Sequence, residues 1–405
     1  YTAKVTAKIM IAGTVVVKNK EIKMKYTPSS TIVVTPTPPP GTVFVPPSDD
    51  EQQQIIGEIN DTIQDTAQQL EGAAPEERPS IIKDAVSKAQ EALTAVATLT
   101  LSAPLSADEG KAAVTMDEAT IERILEHIEA VVEQVQALNE SLQEMDQNAS
   151  VQPTIVFDLG TSEADAVEMT LVKEVLDAAA SAGFTVSVTV NNVAVVFDPS
   201  EFDDSVTLTI AAADSSEAGA AGSRAVADVY ELTFTAGGGE VSRFNRPVTV
   251  QIPVVVDPTN PDSLALVKIT DDGFEFSPGV YNSETGSFSA KRSTFSVYTV
   301  VENPVEFNDT ASVESWAGKQ IRAIAAGGVV QGRGSGQFDP GANVTRAEFA
   351  KMLAIALGIH NGDAEETFSD VTDNDWFQPY VAALQKWGIT NGRHSPDTFA
   401  PNEYI

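Results

Sequence analysis

Arg346 stands in the run Val344-Thr345-Arg346-Ala347-Glu348, a cation in a chain with 25 Lys and Arg against 58 Asp and Glu. Thr345 followed three residues later by Glu348 is a capping-box pattern, so Arg346 is expected in the first turn of a helix. There the open backbone N–H groups and the positive end of the helix dipole favour anions. A guanidinium adds a two-pronged fork that fits a carboxylate. A cation at that helix end is mildly disfavoured, so Arg346 needs either a nearby acid such as Glu348 or an anion from outside. The residues alone leave both readings open.

Other chemistries are excluded by what the chain lacks. It has no cysteine, which removes disulfides, thiolate metal sites and cysteine nucleophiles. His127, His360 and His394 are far apart and none sits in a metal-ligand spacing. Gly332-Arg333-Gly334-Ser335-Gly336 has no preceding strand and following helix to make it a phosphate loop. Asp373-Asn374-Asp375 lacks the glycine and distal Glu of an EF-hand, so a helix cap is the simpler expectation and no metal is expected. No catalytic constellation emerges, no cofactor is implied, and the chain reads as non-enzymatic.

A formal charge of −33 over 405 residues argues against nucleic acid and against anionic lipid as partners. No run of about 18 apolar residues is present to span a membrane as a helix. The first residues, YTAKVTAKIM, read as a strand in mid-domain rather than a signal peptide, so the chain is expected to be a fragment at that end.

The periodicity of the apolar residues divides the chain. Residues 1–35 alternate in strand fashion, with a turn expected at Asn19-Lys20, and read as the end of an upstream β-domain. Their six Lys against one Glu give +5, leaving −38 for the rest. Residues 36–47 form a Pro-rich linker. Over 48–150 three helices are expected, opened by Ser48/Glu51, running from about Pro79 to Ala97, and opened by Thr115/Glu118. The third carries Ile121, Ile124, Ile128, Val131, Val135, Leu138, Leu142 and Met145 in heptad spacing, which predicts a helical hairpin, three-helix bundle or coiled-coil spacer. From 151 to 303 the period becomes two, with turns at Asn191-Asn192, Gly237–Gly239 and Asp271–Gly273, and one short helix near Thr170–Ala182. The fold class is therefore multidomain: an all-β sandwich, an α-helical spacer and, beyond residue 304, α-helical repeats.

That last stretch repeats itself at a period of about 60. Phe307-Asn308-Asp309 answers Phe368-Ser369-Asp370, and Trp316 answers Trp376. GGVVQGRGSGQFDP answers WGITNGRHSPDTFAP, aligning Gly332 with Gly392, Arg333 with Arg393, Phe338 with Phe399 and Val344 with Ile405. Each copy reads as helix, loop and helix, with Trp316, Ile321 and Ile324 on the first helix and Phe349, Met352, Leu353, Ala356 and Leu357 as the inward face of the second. Over 307–405 this resembles the S-layer homology (SLH) family, with its F-x-D-V opening, G-I-x-x-G turn, F-x-P and T-R-A-E helix start. Asn308-Asp309-Thr310 lacks the valine, and Gly-Arg stands where Gly-Tyr is usual. Repeat 1 spans 304–363 and repeat 2 spans 364–405, where it is expected to be cut short.

The resemblance implies an extracellular protein of the bacterial cell wall or S-layer, held non-covalently by secondary cell-wall polysaccharide carrying pyruvyl groups. Arg346 is then implied to bind the acidic sugar, in grooves between repeats. Gly332 and Gly392 would admit close backbone approach, or serve only turn geometry. Trp316 and Trp376 would stack on a sugar or fill the core. Arg333 and Arg393 would add charge or simply be solvated. Self-assembly into a surface layer fits this reading. So does an exported polysaccharide-degrading enzyme whose catalytic domain lies before Tyr1, or an adhesin.

Overall fold

The computed structural model describes residues 2–11, 14–23, 43–214, 223–270, 273–359, 368–393 and 397–405. The linker residues up to 42, His360, His394 and the Asp271-Asp272 turn lie outside the described residues. By packing the chain divides into Tyr1–Pro39 and Pro40–Ile405. In the first unit β1 (Thr2–Ile11) pairs antiparallel with β2 (Thr14–Lys23). Ile11 opposes Thr14, and that register makes Asn19 and Lys20 ladder positions opposite Thr6 and Val5. The turn expected there is absent.

In the second unit two sheets share one core among the described residues. The first holds β3 (Phe44–Val45), β4 (Thr98–Leu101), β6 (Thr154–Asp158), β8 (Thr185–Val190), β9 (Val193–Phe197), β14 (Arg243–Pro253), β17 (Gly279–Asn282) and β18 (Ser287–Thr294). Its order is β17-β18-β14-β9-β8-β6-β4-β3. The second runs β16-β15-β19-β12-β10-β7-β5. It comprises β5 (Lys111–Val114), β7 (Ala166–Leu171), β10 (Val206–Ala212), β12 (Tyr230–Ala236), β15 (Leu264–Thr270), β16 (Gly273–Ser277) and β19 (Val297–Glu302). Two short strands flank it, β11 (Arg224–Ala225) on β19 and β13 (Gly239–Val241) on β12.

These sheets are mixed, not purely antiparallel as an all-β sandwich would be. β4 pairs parallel with β6, β6 with β8, and β5 with β7. Parallel neighbours require crossovers, and these are supplied partly by helices: α3 (Glu118–Met145) and α4 (Lys173–Ser181). The positive φ of Asn191 and Asn192, 51° and 63°, closes β8 onto β9 as the sequence suggests.

α1 (Asp49–Gly72) opens on the expected Ser48/Glu51 capping box, and α2 (Arg78–Val96) follows. α3 instead begins two residues later than expected, with Asp117 rather than Thr115 as N-cap, accepting from the Thr120 amide. The stand-alone helical spacer over 48–150 is corrected by packing. Ile124, Ile128, Val131, Leu138 and Leu142 of the heptad seam are buried in the same core as the sheets, and β4 and β5 arise within that stretch. A heptad stripe needs only an apolar cover, and α1, α2, α4 and the sheets provide it here. Five phenylalanines from both sheets and their loops, Phe197, Phe202, Phe234, Phe244 and Phe295, pack with centroids from 4.9 to 6.2 Å apart.

Beyond Glu302 come α5 (Glu314–Ala326), α6 (Arg346–Leu357) and α7 (Gln378–Lys386). α6 and α7 build a second core around Ala347, Ala350, Ala354, Val381 and Leu384. The inward face expected for α6 is corrected: Phe349 is exposed, and the alanines face α7, letting the two helices approach closely.

Candidate functional site

The loops that follow α5 and α7 are built alike. Asp309 accepts from the amides of Phe338 and Asp339 at 2.8 and 2.7 Å. Asp370 accepts from those of Phe399 and Ala400 at 2.7 and 2.8 Å. At each loop a phenylalanine that precedes the helix packs on one that follows it, Phe307 on Phe338 and Phe368 on Phe399. The Phe338 amide is the main reason the Asp309 carboxyl sits below its ordinary range.

Gly332 has φ of +72°, and a Cβ there would lie 2.4 Å from the Gln337 carbonyl and 2.6 Å from the Phe307 ring. The turn's own fit therefore demands glycine. The turn brings Gly332 and Arg333 to the wall of a groove of about 400 Å³. Pro340, Glu348, Met352 and Trp376 complete that wall. Arg333 donates to Glu348 at 2.9 Å and to the Asn343 carbonyl at 3.1 Å. Burial opposes ionisation of Glu348, but bonds from Thr345 and the charge of Arg333 outweigh it and hold the carboxyl low. Trp376 is 56% exposed and Trp316 72% exposed, so neither indole fills the core. Trp316 stands on α5 and does not line this groove.

Arg346 lies apart from that groove. Thr345 and Glu348 form the expected capping box. The amides of the first turn are not open to an outside anion, however. Arg346 N donates to the Glu403 carbonyl at 2.8 Å, Ala347 N to that of Pro401 at 3.0 Å, and Glu348 N to the Thr345 hydroxyl. Glu348 pairs with Arg333 and not with Arg346. The Arg346 side chain folds over Phe399, with Nε donating to the Phe399 carbonyl at 2.7 Å. Burial, then the neighbouring Arg393, lowers its affinity for its proton, while Glu403 and Asp370 act the other way. Arg393 follows Gly392, whose φ is +87°, and pairs with Glu403 at 2.9 Å. The expected residues thus fall in three places: Gly332, Arg333 and Trp376 around the groove, Arg346 near Arg393 and its neighbour Gly392 at the start of α6, and Trp316 by itself on α5.

Sequence reasoning passed over Phe399, Glu403 and the paired aspartates as site-builders. The aspartates carried a signal, since Asp309 and Asp370 recur at matching places in the repeat. Phe399 and Glu403 meet Arg346 only through the fold.

The S-layer homology domain family matches residues 306–350 and 367–405. These two stretches are SLH domains. Among curated relatives, an S-layer protein, sap, of Bacillus anthracis is 34% identical over 93 residues, 23% of this chain and 11% of that protein. An endo-1,4-beta-xylanase A of Thermoanaerobacterium saccharolyticum is 36% identical over 88 residues, 22% of this chain and 7% of its own. An amylopullulanase of Thermoanaerobacterium thermosulfurigenes is 25% identical over 246 residues, 59% of this chain and 13% of its own. That last match is longer than the SLH stretch, so the similarity reaches into the β-rich body. The chain spans 7 to 13% of the length of these three relatives. It is the sequence of a surface protein bearing SLH domains.

Proposed function

We propose that the SLH repeats hold this protein non-covalently to the bacterial cell wall by binding a pyruvylated secondary cell-wall polysaccharide. The observation that carries the reading is Arg346. Its cation is partly desolvated, lies beside a second guanidinium, and makes no ion pair within 4.0 Å among the described residues. Such a charge gains from an added carboxylate, and a pyruvyl ketal brings one on a sugar ring. Trp376 at the groove offers a flat face for the apolar side of a pyranose. The β-rich body is then a structural unit of the cell surface, able to pack with its own kind into a surface layer, and the chain itself is non-catalytic.

The amylopullulanase match beyond the repeats favours one second reading, in which the same unit attaches a polysaccharide-degrading enzyme to the wall. Sedimentation of the chain with purified wall sacculi tests the anchoring. Binding is expected, and is expected to vanish when the pyruvyl groups are removed; retention after their removal overturns the proposed ligand. Hydrolysis of wall or storage polysaccharide by the purified chain would overturn the non-catalytic reading.

A further inference from the structure

A single helix-loop-helix repeat cannot bury its own apolar face, so neighbours complete it and the ends of a stack need caps. Inside the stack the rule is visible: α7 of repeat 2 packs on α6 of repeat 1. α5, the first helix of repeat 1, has no such predecessor. It packs on the 3-10 turn Pro261–Ser263 and on β15, more closely than on α6 of its own repeat. We propose that the β-rich body is the end cap of the SLH stack, taking for α5 the place that α6 takes for α7, so that body and repeats move as one piece.

Backbone approach at two glycines carries this furthest. A Cβ on Gly327, at the end of α5, would lie 2.4 Å from Cα of Pro278 between β16 and β17. A Cβ on Gly358, which caps α6 with φ of +69°, would lie 2.7 Å from the Lys291 carbonyl of β18. Polar contacts accompany them. Asn303 Nδ2 donates to the Ala326 carbonyl at 2.8 Å, and Asp262 meets Arg322 at 3.4 Å and Lys319 at 3.5 Å.

The internal repeat supplies the control. The residue aligned with Gly327 is Trp387, which is 38% exposed, and the one aligned with Val329 is Ile389. Val329 is 4% exposed and Ile389 44%. The same position therefore accepts the largest side chain where no sheet lies against it and requires glycine where Pro278 does. Gly327 and Gly358 are docking residues, distinct from Gly332, which serves its own turn.

The absence of cysteine allows a direct test in the full chain. Spin labels on Glu284→Cys, in the turn before β18, and Gln320→Cys, on α5, report the distance between body and repeat by pulsed electron resonance. One narrow distance distribution is expected, and a broad one overturns the proposal. Gly327→Trp, which installs the residue of repeat 2, is expected to abolish the narrow peak while circular dichroism stays unchanged; a peak that survives overturns the proposal too. Should Gly327→Trp fail to fold, the double variant Asp262→Ala with Asn303→Ala decides. It removes only the polar contacts, and its distribution is expected to broaden, whereas an unaltered peak overturns the cap.

Discussion

The guanidinium carbon of Arg346 lies 4.7 Å from the centre of the Phe399 ring, and its Nε is bonded to the carbonyl of that same residue. The arginine is thus held by a residue 53 positions away. Arg346→Ala is expected to weaken wall binding by about 2 kcal/mol, roughly thirtyfold. Arg346→Lys should recover only part of this, because an ammonium lacks the fork. Sedimentation with sacculi at graded protein concentration measures both. Normal binding by Arg346→Ala with an earlier melt would reduce the residue to a clamp on the 399–405 segment.

Trp376 and Trp316 are aligned in the repeat but differ in setting. Trp376 lines the groove, so Trp376→Ala should lower affinity for wall-polymer fragments while stability shifts by no more than about 0.5 kcal/mol, as for other surface changes. Trp316→Ala should leave that affinity nearly intact. Calorimetric titration of the two variants side by side distinguishes them, and equal losses would remove the groove from the site.

Gly332→Ala should act differently again. The substitution forces a Cβ into the Gln337 carbonyl at a left-handed φ, a strain of about 1–3 kcal/mol. Stability and binding should therefore fall together, by differential scanning calorimetry and sedimentation respectively. A loss of binding without any loss of stability would contradict the turn role.

His127 is buried on α3, and burial pushes its imidazole below the ordinary value despite the bond to the Val96 carbonyl. Its lowered folded pKa means that the unfolded chain takes up a proton first. Stability should fall as pH drops through the unfolded value near 6.5, and the loss should level off once the folded value is passed. Melting temperatures at pH 8 and pH 5.5 measure this, and His127→Leu should flatten the difference. A wild-type melt that is unchanged across that range would show that His127 is not the titrating group.

Asp309 sits low because the Phe338 amide, then that of Asp339, bonds its charged form. The depressed carboxylate contributes stability above the ordinary range near pH 4, and that contribution disappears as pH falls through the lower folded value. Acid should therefore loosen repeat 1, with Asp309→Asn melting earlier at neutral pH and changing less on acidification. Thermal scans at pH 7 and pH 3 provide the comparison.

What could be read beforehand divides by the range of the interactions. The capping boxes Ser48/Glu51 and Thr345/Glu348 span three residues, and both are where local pattern places them. β4 and β5 are four residues each, TLTL and KAAV, and exist because Val156 and Glu168 lie alongside. No local pattern contains those partners. The α3 seam declares an apolar stripe but not its cover, and a spacer and a core helix look alike at that level. The place of Arg346 in the first turn of α6 was legible from its helix start. The closing of its amides by Pro401 and Glu403 was not, because those carbonyls come from the next repeat.

The insertion of β4 and β5 beside strands that come later in the chain has a mechanical consequence. Where tension on the chain runs along β4, its parallel partner β6 takes the load. Parallel pairs such as β4 with β6 resist that pull in shear, all their hydrogen bonds straining together, whereas a hairpin peels open one bond at a time. β4 and β5 are thereby each held beside a strand formed later in the chain, and neither leaves its sheet without parting from that strand.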